Sequence, residues 1–351
     1  MLVKKTIDVS IKIKFNLKKL IKILIGISGK HRWPFRSSQL LILAYHRVLP
    51  KSDSRFYFEQ PMMVVTPETF DNNIKWASEH FKFIKLDDWL NACENNTPPK
   101  GKYCAITFDD GWIDNMEYAL PILKKHNAPA TIFCVSDMLN NKINYWPGRV
   151  TKLIYEVSKN SDIQNYINHP FFEWLKKATA NTNINWTQPT TGDFSNIVES
   201  LKTYKDLEII SLVDNTKKQL SLDYSEQRQV LNIDELKSMY ATNLISYGSH
   251  TINHIRMTQE TPEDVLIKEI KNSKDELKEK LNSDINTFCY PNGYHPPNSV
   301  KLAKQHYLGA CTLAKGWNNP TTDFSTLRRI SFHEAVAKDK FQFKALLSGW
   351  L

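Results

Sequence analysis

Short apolar runs alternate with helix-forming segments along most of the chain. Runs of strand length lie at residues 40–48, 103–108, 129–135, 244–250, 287–291 and 309–313. Segments with helical spacing of apolar residues lie between them, at 66–81, 116–127, 232–243, 262–282 and 298–306. Strands that form continuous apolar runs are typical of parallel sheets covered by helices on both faces. The pattern therefore predicts an α/β barrel or an open α/β sheet.

The alternation stops at about residue 147 and resumes after residue 230. The intervening stretch is polar and rich in Lys, Asn and Thr, and it contains helical pieces at 162–178 and 225–231. A stretch of this length inside a compact domain is rarely a structureless loop. We therefore expect a helical insertion over one end of the core.

The first 36 residues form a basic amphipathic segment. They hold ten Lys or Arg residues and one acid, so the formal charge of +9 of the 351-residue chain resides here and the remainder is neutral. Leu17, Leu20, Ile21 and Leu24 recur at helical spacing between lysines, which suits a helix on an anionic membrane surface. A helix packed on the protein with its lysines in water fits the same pattern. The apolar run is too short to span a bilayer, which takes about 20 residues.

Charge and cysteine usage narrow the range of partners and compartments. A neutral body argues against a broad nucleic-acid-binding surface. The five cysteines are scattered without a C-x-x-C pair, at Cys93, Cys104, Cys134, Cys289 and Cys311. Neither a disulfide framework nor a thiolate zinc site is predicted, so we expect a reducing, cytoplasmic compartment.

Acids and histidines at strand ends are the candidates for chemistry. Asp109 and Asp110 follow the apolar run at 103–108, and adjacent carboxylates in one pocket repel each other unless a cation lies between them. An Asp-Gly turn would also place an acid here. His250 and His254 are one helical turn apart at the end of another apolar run. Lone histidines are usually structural, but two histidines with one carboxylate are a common catalytic metal set.

Four motifs in this order resemble the polysaccharide deacetylases of the NodB-homology type, carbohydrate esterase family 4. They are TFDDGWIDN, ALPILKKHNAPATIFCV, GSHTINH and FCYPNG, and the resemblance runs from about Leu41 to the C-terminus. It implies a distorted (β/α)7 barrel over residues 37–351, with the helical insertion at about 147–230 and the basic segment at 1–36. It also implies a divalent metal, Zn²⁺ first and Co²⁺, Ni²⁺ or Mn²⁺ as substitutes, that serves removal of acetyl groups from N-acetylated sugars.

The resemblance assigns roles to individual residues. Asp110, His250 and His254 would bind the metal, and Asp109 would be the general base. The backbone N–H of Asn292 would stabilise the oxyanion, since Pro291 has no N–H.

Two departures from the family pattern concern the partners of the base. Cys289 stands where many members have an Arg that holds the base. Arg329 in TLRRIS resembles a late Arg of bacterial exopolysaccharide deacetylases, so we predict that it contacts Asp109; a surface Arg is the alternative.

The general acid has two candidates. The usual late LLHD-like motif is missing, although His333 in ISFHEA lies near its place. LAYHRV resembles the early motif of deacetylases that act on poly-N-acetylglucosamine, and on this basis His46 is assigned as the acid.

Trp112 and Tyr290 adjoin the motifs and are candidates for stacking on sugar rings, or else for core packing. The expected activity is N-deacetylation of N-acetylhexosamine units in a bacterial surface polysaccharide or its lipid-linked precursor. A deformylase or deacetylase of a lipid-carried monosaccharide, and an inactive glycan-binding protein, remain alternatives. We expect a cytoplasmic protein held peripherally at the inner membrane; the sequence predicts no oligomeric state.

Overall fold

A curled sheet of parallel strands forms the centre of the protein. The computed structural model describes residues 20–140, 144–160, 162–180, 182–224 and 227–349. Its strands are β1 (Ser38–Tyr45), β2 (Arg47–Val48), β3 (Val64–Val65), β4 (Lys82–Phe83), β5 (Gly101–Phe108), β6 (Ala130–Cys134), β7 (Ile245–Ser249), β8 (Thr287–Cys289), β9 (Gly309–Cys311) and β10 (Ile330–Ser331).

Seven strands follow one another around the sheet in the order β10, β1, β5, β6, β7, β8, β9, while β4 pairs with the start of β5 and β2 pairs with β3. Every pairing between these strands is parallel. The longest register joins β1 to β5 from Ser38 and Gly101 to Tyr45 and Phe108. All eight residues of β1 are buried, as expected for a strand covered on both faces.

The segment at residues 327–331 bonds to both edges of this sheet. Leu327 donates its N–H to the carbonyl of Ala310 in β9, at 2.8 Å. Three residues later the chain enters β10, which pairs with Leu43 and Ala44 of β1. We call residues 327–331 the closing segment. The expected distorted barrel of seven parallel strands is thereby confirmed, with the distortion concentrated in the short strands β8, β9 and β10.

Helices cover the sheet. The helix at residues 20–28 is α1, followed by α2 (Pro67–Ser78), α3 (Leu86–Glu94), α4 (Leu120–His126), α5 (Trp146–Ser158), α6 (Ile163–Tyr166), α7 (Pro170–Ala178), α8 (Thr191–Leu201), α9 (Asp206–Gln219), α10 (Ile233–Tyr240), α11 (Glu263–Ile267), α12 (Ser273–Leu281), α13 (Pro297–His306), α14 (Glu334–Ala337) and α15 (Lys340–Leu347). Local sequence fixes several starts: at α10, Asn232 and Glu235 form a reciprocal capping box. Within the described residues, no helix has the length and apolarity needed to cross a bilayer.

Helices α5 to α9 lie between β6 and β7, in the stretch where the sequence predicts a helical insertion. Its helices share an apolar cluster separate from the barrel core, which includes Val150, Leu153, Phe172, Phe194, Ile197 and Val213. Phe58, from the loop between β2 and β3, also belongs to this cluster, so the cluster joins the helices of the insertion to each other and to that loop.

The basic segment is described from residue 20 onward, so residues 1–19, including Leu17, lie outside the described part. Helix α1 ends in a short turn at Lys30–Arg32, in which His31 is completely buried. The proposed boundary at residue 36 stays a prediction.

Candidate active site

The candidate residues lie where parallel strands end. His46 follows β1, Asp109 and Asp110 follow β5, His250 follows β7, and Tyr290 follows β8. In a parallel barrel these ends lie at one edge of the sheet, which is where α/β barrels assemble reactive groups. The topology therefore brings together residues that are up to 244 positions apart in number, from His46 to Tyr290.

Asp110, His250 and His254 converge on one point. Their ligand atoms all lie within 4.8 Å of one another, and Asp110 Oδ1 is 3.4 Å from the Nε2 atom of each histidine. Oδ1 is buried and has no hydrogen-bond partner among the described residues, and such an atom is costly unless a cation or proton satisfies it. Two imidazoles and one carboxylate are a ligand set that suits Zn²⁺ with room for a water. The residues present therefore fit a divalent metal.

Neighbouring groups orient these three side chains. His250 Nδ1 lies 2.7 Å from the carbonyl of Cys289; because a carbonyl only accepts, Nδ1 carries the proton and Nε2 is the free lone pair. Trp112 donates its indole N–H to Asp110 Oδ2 at 3.0 Å. Outer contacts of this kind fix the geometry of metal ligands.

Backbone conformation at the site is unusual. The φ angles of Asp110, Thr251 and His254 are +76°, +70° and +56°. These values lie in the left-handed region, which residues other than Gly rarely adopt. The Thr251 hydroxyl accepts the N–H of His254 at 2.9 Å, which supports the second turn. Left-handed residues of this kind cluster at functional sites because the surrounding structure must hold them.

The pKa values of Asp110 and His254 are shifted in opposite directions by their neighbours. Burial raises the pKa of Asp110, but the adjacent imidazoles of His250 and His254 outweigh burial and hold this pKa well below the usual range. Burial lowers the pKa of His254, but the adjacent Asp110 carboxylate outweighs burial, so the net pKa of His254 is raised. The carboxylate therefore stays ionised, as a metal ligand must.

Asp109 is buried beside the trio and paired with Arg329. Two parallel hydrogen bonds join them, at 2.7 and 2.9 Å, and this bidentate geometry is the strongest form of the contact. Burial raises the pKa of Asp109, but the charge and hydrogen bonds of Arg329 outweigh it and lower the net pKa. The predicted Arg329 contact is thus found, and Arg329 is buried rather than on the surface.

Cys289 takes part in the same arrangement. Arg329 Nη2 is 3.0 Å from the Cys289 sulfur, which lies 3.6 Å from Asp109 Oδ2. The position where the family resemblance implies an Arg is therefore occupied by a small neutral group. The guanidinium that contacts Asp109 instead belongs to Arg329 in the closing segment, 40 residues after Cys289.

The two candidates for the general acid are placed differently. His46 Nε2 is 3.8 Å from Asp109 Oδ2, and its side chain is 22% exposed. His333 precedes α14, and its Nδ1 is buried without a hydrogen-bond partner among the described residues. Burial lowers the pKa of His333. Geometry therefore favours His46 as the histidine next to the site.

The three remaining candidates have distinct surroundings. Asn292 has φ +53° and lines the cleft described below. Trp112 lies in the cleft wall with its N–H committed to Asp110. Tyr290 is completely buried; its hydroxyl donates to the carbonyl of Ser325 and its ring packs on Phe288. The expectation that Tyr290 stacks on a sugar is therefore not met, because no face of its ring reaches solvent.

A cleft of about 690 Å³ opens beside Asp110 and His254. The insertion supplies much of its wall, and many of the lining side chains are apolar or aromatic, namely Met63, Trp112, Met138, Tyr145, Trp146, Val198, Leu207, Ile210 and Ile255. The cleft is large compared with an acetyl group, so it has room for at least one sugar ring as well.

Sequence reasoning missed two residues that contact this site. The Arg47 guanidinium lies 4.1 Å from the Trp112 ring and is salt-bridged to Asp114 and Glu59. The Tyr145 hydroxyl donates to the carbonyl of Asp110 at 2.9 Å. Arg47 could have been found, because it follows His46 directly in LAYHRV. Tyr145 gives no such signal, since it lies at the start of the insertion outside every motif.

Comparisons with known proteins agree with this geometry. The polysaccharide deacetylase family profile matches residues 96–196 and 213–310, more than half of the chain. The poly-beta-1,6-N-acetyl-D-glucosamine N-deacetylase of Staphylococcus aureus is 33% identical over 110 residues, which cover 29% of this chain and 38% of that protein. The enzyme of the same description from Staphylococcus epidermidis is 29% identical over 115 residues, covering 30% and 39%. The chain thus matches less than half the length of these curated relatives.

Two solved structures share the fold. IcaB from Ammonifex degensii superposes with a TM-score of 0.55 at 16% identity, covering 88% of this chain and 99% of that one. A Streptococcus pyogenes deacetylase, PplD, superposes with a TM-score of 0.53 at 20% identity, covering 85% and 94%. At these identities the likeness shows the fold alone. With the family profile matched over more than half of its length, the chain belongs to the polysaccharide deacetylase family.

Proposed function

We propose that the protein hydrolyses the N-acetyl group of N-acetylhexosamine units in a bacterial surface polysaccharide, with a divalent metal as cofactor. The observation that carries this proposal is one arrangement at one edge of the barrel. A two-histidine, one-carboxylate set lies beside a second carboxylate that is buried and held by Arg329. Hydrolysis of an amide needs such a pair of functions, an electrophilic centre and a base.

Asp110, His250 and His254 would hold the metal. The donor set favours Zn²⁺, while Co²⁺, Ni²⁺ and Mn²⁺ accept the same ligands. When bound, the metal lowers the pKa of a coordinated water and polarises the acetyl carbonyl.

Asp109 is the proposed general base. The bidentate contact with Arg329 keeps it ionised near neutral pH and fixes the direction of its free lone pairs. His46, 3.8 Å from Asp109, would give a proton to the departing amine, and the Asn292 N–H would donate to the oxyanion.

The substrate proposal draws on the relatives and the cleft together. The relatives are described as deacetylases of poly-beta-1,6-N-acetyl-D-glucosamine. Two aromatic residues in the cleft wall that are only partly buried, Tyr145 and Trp146, suit the apolar faces of sugar rings.

A second candidate is an N-acylated sugar carried on a lipid, from which a formyl or acetyl group would be removed. Apolar insertion residues favour it, since Val198, Leu207 and Ile210 line the cleft and Leu207 is 81% exposed. Exposed apolar side chains next to a reaction site are typical of sites that receive apolar groups.

The test is acetate release from oligomers of β-1,6-linked N-acetylglucosamine, with mass spectrometry of the product. Wild-type protein loaded with Zn²⁺ should release acetate and leave a product lighter by one acetyl group per event. Asp109→Asn should keep its metal and lose turnover, whereas His250→Ala should lose both. Glu173→Gln, on the surface of the insertion, is the control and should behave as wild type. Full activity of Asp109→Asn would refute the assignment of the base.

A further inference from the structure

We propose that one face of the protein, formed by Leu20, Ile21, Leu24, Ile27, Trp33 and Phe341, docks on an anionic lipid bilayer and turns the active site away from it. We call these six residues the docking face. The surface itself is independent of the deacetylase activity. The conclusion that the protein acts on a glycan on the side facing away from the lipid rests on the proposed function.

The docking face is apolar and exposed. Leu20, Leu24 and Ile27 recur every three or four residues along α1, and their exposed fractions are 52%, 56% and 52%. Ile21 is 45% exposed, Trp33 49% and Phe341 42%. Most helices of a soluble protein turn such a stripe toward the core, so a contiguous outward stripe indicates an interaction surface.

Glycines explain why α1 presents this face to the outside. A Cβ added at Gly26 would lie 3.0 Å from the carbonyl oxygen of Phe341, and one at Gly29 would lie 2.8 Å from Cβ of Ser348. The side of α1 at Gly26 therefore packs closely against α15, and Gly29, just after α1, packs against the turn that follows α15. The opposite side carries the leucines and isoleucines, and close backbone contact fixes this orientation.

The end of α1 is anchored as well. His31 is completely buried and its ring lies 4.8 Å from that of His80. Lys102 donates to the His31 carbonyl at 2.5 Å. The outward stripe is thus a fixed part of the fold.

Charge identifies the partner as an anionic surface. Residues 9–36 contain no Asp or Glu and eight Lys or Arg residues. Lys22, Arg32 and Arg36 belong to this stretch, and the last two are exposed. An apolar stripe between cations binds anionic lipid through both burial and attraction. A second copy of the chain would bring the same positive charge to the contact, which disfavours self-association.

The docking face lies at the amino ends of the barrel strands. Lys102, which holds His31, is the second residue of β5, and Ser38, five residues after Trp33, begins β1. Asp109 and His46 follow the carboxyl ends of the same two strands. Eight-residue strands rise about 26 Å at 3.3 Å per residue. A docked protein therefore holds its catalytic groups on the far side of the barrel from the lipid.

Vesicle binding by the full chain tests the surface. Wild type should sediment with phosphatidylcholine vesicles that contain phosphatidylglycerol and should bind much less to phosphatidylcholine alone, with binding weakened by salt. Leu24→Ser with Ile27→Ser should weaken binding at least tenfold, because two apolar side chains no longer enter the bilayer. Ile267→Ser, an exposed isoleucine on α11 (37% exposed), is the matched control and should bind as wild type.

Activity on soluble oligomers separates this proposal from the proposed function. The double variant should release acetate at the wild-type rate, since neither residue contacts the site. Undiminished vesicle binding by the double variant would overturn the docking face. If the wild type is a dimer that does not bind vesicles, and the double variant is a monomer, the face would be assigned to a second copy of the chain instead. Stronger vesicle binding after deletion of residues 1–19 would show that they compete for the face and would support it.

Spin labels test the orientation in a Cys93→Ser background. A label at Ile27→Cys should be relaxed by oxygen in the lipid, whereas one at Lys268→Cys, at the cleft, should be relaxed by aqueous nickel. Lipid immersion of both labels would overturn the proposed orientation.

Discussion

Asp110 is oriented by Trp112, which is not a candidate for metal binding and is itself held in place by Arg47. Trp112 donates to its Oδ2, and the Arg47 guanidinium lies against the face of the same indole. Arg47 is itself fixed by Asp114 and Glu59. A buried cation on an aromatic face is worth more than one in water, so Trp112 is restrained on both its face and its edge. We therefore interpret it as a positioning residue for Asp110.

Trp112→Phe tests this role. The ring that stacks on Arg47 remains, but the N–H donor to Asp110 is removed, so affinity for Zn²⁺ should fall about 10- to 100-fold. Competition with a chromogenic chelator measures the affinity. Trp186→Phe, within the insertion, is the control. Unchanged affinity in Trp112→Phe would mean that the indole only fills space.

Arg329→Gln should destabilise the protein strongly. It leaves Asp109 buried without its cation, and breaking a buried pair from one side costs about 3–5 kcal/mol. The free energy of unfolding in urea measures this loss. The exposed neighbour Arg328 supplies the matched control, since Arg328→Gln should change stability by less than about 1 kcal/mol. Equal effects of the two substitutions would contradict the importance of the buried contact.

His46→Ala separates the two candidates for the general acid. Turnover should fall by about 10² to 10⁴, the usual contribution of such a group, while metal content stays intact. His333→Ala should keep near wild-type turnover. The reverse result, an active His46→Ala and an inactive His333→Ala, would move the role to His333.

At the scale of elements, strands with long apolar runs were predictable and the very short ones were not. The runs at 103–108 and 129–135 coincide with β5 and β6, because a strand buried on both faces needs an uninterrupted apolar sequence. β2, β3, β4 and β10 have two residues each. Such strands carry no periodicity, and they form only because tertiary contacts place them.

The same distinction applies to the site. Residues at strand ends, such as Asp109 and His250, were predictable because local sequence marks both the strand and its end. Tyr145 and the cleft-lining residues of the insertion were not, since their place depends on how α5 and α9 pack. Sequence could not choose between sugar stacking and core packing for Tyr290, because adjacency to a motif says nothing about which face of a strand end is buried.

The contact between the turn after α1 and the end of α2 predicts a loss of stability in acid. Burial, followed by neighbouring positive charge, lowers the pKa of His31 and of His80 from 6.5 to about 4. The folded state therefore prefers both rings neutral. The contribution of the two neutral rings to the free energy of unfolding is complete above the unfolded pKa of about 6.5, and it is lost as pH falls from 6.5 toward 4.

His31→Phe should reduce this acid sensitivity. The free energy of unfolding of the wild type should drop between pH 6.5 and 4, by up to about 3 kcal/mol for His31 alone. The variant should show a shallower slope over the same interval. His295→Phe, at an exposed position, should keep the wild-type slope. Identical slopes for all three proteins would show that other groups cause the acid response.

At the scale of the whole molecule, the two ends of the barrel have different surroundings. The carboxyl ends of the strands meet the insertion, whose helices share an apolar cluster and form much of the wall of the cleft. The amino ends meet α1 and α15, where the docking face lies. The proposed substrate site and the proposed docking face therefore lie at opposite ends of the barrel.

The closing segment has a consequence for the order in which the protein becomes active during folding. Asp110, His250 and His254 are all present once the chain is folded as far as residue 254, whereas Arg329 is 220 positions from its partner Asp109. Contacts between such distant positions form late, because the loop between them must first be ordered. The proposed base, Asp109, is therefore held by Arg329 only once the closing segment has joined β1. Pairing of the last strand would thus complete the base, whatever the order in which the other residues of the site come together.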